Sequence, residues 1–137
     1  MELNNKKVLV LGLSKSGIAA AKACNKRGAN VFITEGKEKE IPQELLDLDI
    51  KVEVGGHSDK FLNDADLIIS SPGIPPHGEL FARLPKNIEI ISEIELAWRL
   101  TKTPFAVITG TNGKTTTTAL TAHIVKSQFK TEACGNI

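Results

Sequence analysis

Apolar residues in this chain gather in short runs of four or five, separated by stretches where they recur at helical spacing. Lys7-Val8-Leu9-Val10-Leu11 has four successive apolar positions without alternation, the pattern of a strand buried on both faces of a parallel sheet. Residues 18–27 are Ala-rich and predict a helix, with Gly28 where a left-handed residue ends one. Val31-Phe32-Ile33-Thr34 predicts a second strand, residues 51–54 a third, Asp66-Leu67-Ile68-Ile69-Ser70 a fourth and residues 88–91 a fifth. Residues 36–44 are charged and read as a solvated loop, with a short helix beginning after Pro42. Alternating β-branched runs and helical segments predict βαβ units, hence an α/β fold built on a Rossmann-like, doubly wound parallel sheet.

A second pattern starts at Ser92. Ser92-Glu93-Ile94-Glu95 matches a capping box, and Ile94, Ala97 and Trp98 fall on one helical face, so Trp98 is expected in a core. A strand, loop and helix are expected over residues 105–127, followed by a strand-like stretch over 131–134. The predicted domain boundary lies between Ile91 and Ser92: residues 1–91 form one complete domain, and residues 92–137 begin another, of the P-loop ATPase type. One strand and one helix cannot bury a P-loop core by themselves. The chain is therefore expected to be the N-terminal portion of a longer protein, inactive alone.

Composition narrows the function classes. With 137 residues and 41% hydrophobic content, the chain can bury a core. The 17 basic and 16 acidic residues nearly cancel, so no global field favours nucleic acid or an anionic membrane. Aromatic content of 4%, with no Tyr, argues against base-stacking platforms. The first apolar run is too short for a signal sequence or a membrane span. Cys24 and Cys134 have no partner pattern, and His57, His77 and His123 share no ligand spacing. A reducing, cytoplasmic setting is expected.

The richest chemistry lies at residues 104–118, P-F-A-V-I-T-G-T-N-G-K-T-T-T-T. An apolar run, a glycine loop and a helix-compatible segment make an arrangement that cradles nucleotide phosphates with backbone N–H groups. Gly110, Thr111, Asn112, Gly113, Lys114, Thr115 and Thr116 are the candidate ATP-binding residues. Lys114 supplies a mobile cation for the outer phosphates and the Thr115 hydroxyl can join a magnesium shell, which makes these two the candidate catalytic pair. Ile108 stands where the general G-x-x-x-x-G-K-[ST] pattern has its first glycine, so the loop is a shortened variant.

Two further turns end predicted strands. Gly12-Leu13-Ser14-Lys15-Ser16-Gly17 follows the first, with Ser14 replacing the second glycine of the dinucleotide fingerprint, and Glu35 supplies an acidic residue after the second strand. This turn fits either a nucleotide-type ligand or a tight βα connection without one. Ser70-Ser71-Pro72-Gly73-Ile74-Pro75 follows the fourth strand, and alone it reads as a rigid turn. Residues 37–40, K-E-K-E, read as solvated loop.

Taken in order, G-L-S-K-S-G at 12–17, S-P-G-I-P at 71–75, E-I-E-L at 93–96, I-T-G-T-N-G-K-T-T-T at 108–117 and G-N-I at 135–137 resemble the Mur ligase family over the whole chain. The shortened loop is shared with all Mur ligases and folylpolyglutamate synthetases. The first turn and the S-P-G motif select the D-glutamate-adding (MurD) branch. The resemblance implies a three-domain, monomeric, cytoplasmic enzyme that uses ATP and Mg2+ to phosphorylate the carboxylate of UDP-N-acetylmuramoyl-L-alanine. The D-glutamate amine then attacks the acyl phosphate. It further implies that Gly12, Leu13, Ser14, Lys15, Ser16 and Gly17 meet the UDP end of the substrate. Glu35, Gly36 and Lys37 flank the uracil, Ser71, Pro72 and Gly73 line the same cleft, and Asn136 contacts the muramoyl substrate. Glu35-Gly36-Lys37 differs from the Asp-Thr-Arg type of some relatives. The family's other magnesium ligands, its carbamylated lysine and its glutamate-binding domain have no counterpart in these residues. The competing reading is a stand-alone nucleotide-binding Rossmann-like module or an NAD-dependent protein.

Overall fold

The computed structural model describes residues 1–135. They fall into two compact units, Met1–Lys102 and the described residues from Thr103 on.

The first unit is a five-stranded sheet in the order β3-β2-β1-β4-β5, with every pairing parallel. Its strands are β1 (Lys7–Leu11), β2 (Asn30–Glu35), β3 (Lys51–Val54), β4 (Leu67–Ser70) and β5 (Glu89–Ser92). Its helices are α1 (Lys15–Asn25), α2 (Gln43–Asp47), α3 (Asp59–Asn63), α4 (Glu79–Arg83) and α5 (Glu93–Leu100). β1 is central, and Val8, Leu9, Val10 and Leu11 are all fully buried, as its unbroken apolar run requires. Val8 and Val10 face one core with Ala20, Ala21 and Cys24 of α1, Leu45 of α2 and Leu96 of α5. Leu9 and Leu11 face the other, with Leu62 of α3 and Leu80 and Phe81 of α4. Helices thus cover both faces, as βαβ crossovers demand.

Local chemistry moved several boundaries. α1 begins at Lys15 rather than at residue 18, because Ser14 caps it by accepting the Gly17 N–H at 3.1 Å. α3 and α4 were not anticipated; at five residues each they are too short to display a helical period. α5 has the predicted cap, Glu95 N–H to Ser92 Oγ at 3.1 Å, but the opposite face is the buried one. Leu96 is buried, while Ile94 and Trp98 are 67% and 58% exposed, so the expectation that Trp98 sits in the core is corrected. Leu96 and Leu100 pack on the same core as α1, and the first unit therefore runs on through α5 to Lys102 instead of ending at Ile91.

The second unit holds the helix α6 (Lys114–Lys126). Among the described residues it has no strand: residues 105–108 and 131–134, both read as strands, form no ladder. The start of a P-loop ATPase fold anticipated here is therefore reduced to a loop and a helix. A strand exists only where a neighbour satisfies its N–H and C=O groups, and among the described residues these runs pair with none. Phe105, Val107, Leu120, Ile124 and Phe129 are correspondingly exposed.

Candidate functional site

β1 pairs with β2 on one edge and with β4 on the other, so the strand order reverses between β1 and β4. In open α/β sheets the crevice beyond the carboxyl ends of strands at such a reversal is where ligands bind. All strands being parallel, the turns after β1, β2 and β4 emerge at that same end. They carry the candidates Gly12 to Gly17, Glu35 to Lys37, and Ser71 to Gly73.

The first turn is tightly built. Gly12 has φ +100° and donates its N–H to the Thr34 carbonyl at 2.9 Å. An added Cβ there would lie 3.5 Å from the Ser71 Cβ and 3.7 Å from the Ile74 Cδ1, so the β1 and β4 turns touch at Gly12. Gly17 is required for closeness: its Cβ would stand 2.3 Å from the Gly12 carbonyl oxygen. Ser14 Oγ lies 3.2 Å from Ser16 Oγ and 3.4 Å from Ser71 Oγ, linking the two turns. Where a dinucleotide fingerprint keeps a glycine to admit pyrophosphate against the backbone, this chain places a hydroxymethyl group. Lys15 and Ser16 are exposed. Their N–H groups occupy the first turn of α1, where no intrahelical acceptor exists. Leu13 is different: its side chain is buried in the core.

Glu35 turns inward. Its Oε2 accepts the Leu13 N–H at 3.1 Å and the Lys39 ammonium at 2.5 Å, and its Oε1 accepts the Lys37 N–H at 3.1 Å. Partial burial pushes this carboxyl up, but the hydrogen bonds from Lys39, Lys37 and Leu13 outweigh it and hold Glu35 below the usual carboxylate range. Gly36 and Lys37 are exposed. Lys39 is the residue that pattern reading passed over as solvated loop. Its opposite charge at i+4 from Glu35 was the available signal.

Beneath Gly36 lies a second polar group. Thr34 is fully buried, and its hydroxyl lies 2.7 Å from Glu53 Oε1, 2.7 Å from His57 Nδ1 and 3.3 Å from the Gly56 carbonyl. A hydroxyl has one proton, and the carboxylate can only accept it, so His57 donates through Nδ1–H. Burial raises the Glu53 carboxyl, but the Ser58 and Thr34 hydrogen bonds, with the His57 charge, bring it below the usual range. A Cβ on Gly36 would stand 3.0 Å from His57 Nε2. The 71–73 turn is more open: the Ile74 N–H donates to the Ser71 carbonyl at 3.1 Å, Pro72 and Gly73 are exposed, and nothing lies within 4 Å of a Cβ built on Gly73.

In the second unit, residues 110–116 are exposed and lead into α6. Gly113 is left-handed, with φ +74°, and α6 has no side-chain cap, so its first-turn N–H groups face outward. Lys114 Nζ folds back on the carbonyls of Gly110 at 2.5 Å and Thr111 at 3.3 Å. Asn136 lies outside the described residues.

The model of the Mur ligase MurD-like N-terminal domain matches residues 6–92, which contain the whole sheet and all three turns. The chain belongs to the MurD-like Mur ligase family. A UDP-N-acetylmuramoylalanine–D-glutamate ligase from Geobacter sp. (strain M21) is 47% identical over 100% of this chain and 32% of its own length. The chain thus spans about a third of the curated relatives it matches. Among solved structures, a pseudomurein peptide ligase type C from Methanothermus fervidus matches with TM-score 0.62 and 31% identity, over 97% of this chain and 29% of that one. The precorrin-2 dehydrogenase SirC matches with TM-score 0.57 over 94% of this chain and 69% of that one, at 11% identity, a likeness of fold alone. No helix is long and apolar enough to cross a membrane among the described residues.

Proposed function

We propose that this chain is the N-terminal part of an ATP-dependent amide ligase that adds D-glutamate to UDP-N-acetylmuramoyl-L-alanine in the cytoplasm, for peptidoglycan precursor synthesis. The first unit binds the UDP-containing substrate through the turns at Gly12, Leu13, Ser14, Lys15, Ser16 and Gly17, at Glu35, Gly36 and Lys37, and at Ser71, Pro72 and Gly73, and Asn136 contacts the muramoyl substrate. The second unit, from Thr103 on, opens the ATP-binding part. The observation that carries this reading is the crevice at the β1/β4 reversal, lined by touching glycine and serine turns in a chain of the MurD-like family.

The loop at residues 110–116 fits magnesium ATP, because a left-handed Gly113 and uncapped α6 N–H groups suit an anion. When bound, that group supplies the phosphoryl that makes a carboxylate oxygen a leaving group. Lys114, which here donates to the Gly110 and Thr111 carbonyls, would balance charge on the outer phosphates, and the Thr115 hydroxyl would join the metal's ligands. Phosphoryl transfer needs positioning and cationic charge more than covalent help, and one lysine with one hydroxyl provides only part of that. The amine-binding part belongs to the remainder of the protein.

The test is Lys114→Ala in the complete protein. Turnover is expected to fall by about a hundred- to a thousand-fold, the loss typical of one transition-state charge stabiliser. Calorimetric affinity for UDP-N-acetylmuramoyl-L-alanine is expected to stay unchanged. A variant with near-normal turnover refutes the ATP-binding role of this loop.

A further inference from the structure

In a nucleotide-binding Rossmann fold the acidic residue after the second strand accepts the ribose hydroxyls. Glu35 occupies that position but is committed elsewhere. An ionised carboxylate offers about four lone-pair directions. Leu13 N–H and Lys39 Nζ take both on Oε2, and Lys37 N–H takes one on Oε1. One direction remains, on one oxygen, which is short of a two-oxygen hold on a ribose diol.

The same contacts tie two turns together. The Leu13 N–H is held by Glu35, and the Leu13 carbonyl accepts from Lys39 Nζ at 3.3 Å. Both peptide planes before Ser14 are therefore pinned. Because a peptide is planar, fixing the Leu13 carbonyl also fixes the direction of the Ser14 N–H, just where α1 begins. The Glu35 side chain is only 13% exposed, whereas the Lys39 side chain, at 40%, keeps one flank in water.

We propose that Glu35 and Lys39 form an inward clasp that preassembles the turns after β1 and β2, and that Lys39 is a positioning residue for the UDP-containing ligand. This rests on the UDP-binding reading above. Neither side chain needs to touch the ligand. The clasp acts by holding the first-turn N–H groups of α1 in the arrangement that receives a diphosphate, so that binding does not have to select it from a mobile loop.

The sign of one substitution separates this from simple charge. Glu35→Gln removes a negative charge near an anionic ligand, so Coulomb attraction alone predicts tighter binding. The clasp predicts weaker binding, because the amide has a single acceptor oxygen, loses the charge that holds Lys39, and must turn its NH2 toward either the Lys37 N–H or the Leu13 N–H and Lys39 ammonium. The experiment is calorimetric titration of the full 137-residue chain with UDP, for wild type, Glu35→Gln, Lys39→Met and Lys39→Arg. Amide hydrogen exchange at Leu13 and Lys37 is followed by NMR in the same proteins without ligand. Glu35→Gln and Lys39→Met are expected to weaken UDP binding about three- to tenfold and to speed exchange at Leu13, while Lys39→Arg retains both. Equal or tighter UDP binding by Glu35→Gln, or unchanged Leu13 exchange in both disrupting variants, overturns the clasp. If the wild-type chain takes no UDP, the UDP reading and the positioning role fall together, and the exchange data alone decide whether the clasp exists as a loop tie.

Discussion

Replacing Gly17 by Ala sets two opposed effects against each other. Gly17 lies in the first turn of α1, and in an unobstructed helix Ala is favoured over Gly by about 0.5–1 kcal/mol. The position is not unobstructed. The new Cβ would stand 2.3 Å from the Gly12 carbonyl oxygen, well inside the 3.0 Å below which real Cβ contacts essentially never occur. The obstacle is backbone, and Gly12 is itself anchored by its N–H on the Thr34 carbonyl and by the Ser71 and Ile74 side chains beside it. Relief therefore requires α1 or the β1 turn to shift, an overpacking strain of about 1–3 kcal/mol that exceeds the helical gain. The expected net loss, centred near about 1 kcal/mol and reaching about 2.5 kcal/mol, corresponds to a drop in Tm on the order of 5 °C or more for a unit of this size. Thermal unfolding followed by circular dichroism reads it directly, with urea denaturation as the second measure. An unchanged or raised Tm would mean that helix propensity prevails and that the close approach of Gly17 to Gly12 is not a constraint.

Gly73→Ala is the counterpart: with open space around its Cβ, stability should change by less than about 0.5 kcal/mol. UDP-substrate affinity in the complete protein should fall, and an unchanged Kd would remove Gly73 from the proposed site. Thr34→Val should cost about 1–3 kcal/mol in urea denaturation, because Glu53 and His57 lose a buried partner; a loss below about 0.5 kcal/mol refutes the network. Glu35 and Glu53 have folded-state pKa values below their unfolded ones, so their contribution is complete above the unfolded carboxylate range, about pH 4.3. It disappears as pH falls through the depressed folded values. Tm against pH should therefore drop less steeply on the acid side in the Glu35→Gln, Glu53→Gln double variant than in wild type, and parallel curves would show that neither carboxylate is linked to folding.

The parts of the fold legible in the sequence are those whose pattern depends on one neighbour class. β1 and β3 have their anticipated bounds: an uninterrupted apolar run suits a central strand paired on both edges, and a short β-branched run suits the edge strand that pairs with β2 alone. α3 and α4 left no trace, since five residues do not complete two turns. Trp98 misled because α5 exposes one apolar stripe and buries another, and both satisfy helical spacing. The runs at 105–108 and 131–134 failed for a different reason: strand formation is a property of pairs, and a single run cannot report whether its partner exists. At the site, the glycine and serine positions were visible by spacing, whereas the direction of the Glu35 carboxylate was not. That depends on Lys39 and on the Leu13 backbone, two groups brought together only by folding.

The central place of β1 has a consequence for how the chain is made. Of the five strands β1 is synthesised first, yet its two neighbours are synthesised at very different times. β2 follows after one helix, and β1, α1, β2, α2 and β3 can assemble as a half-sheet during synthesis. The other edge of β1 stays unpaired until β4 arrives, since Lys7 meets Asp66 across a separation of 59 residues. During that interval an edge flanked by Val8, Leu9, Val10 and Leu11 is open to mispairing with any nascent strand nearby. Any pause before β4 has emerged and paired would lengthen the exposure of that edge, and a pause after that pairing would not.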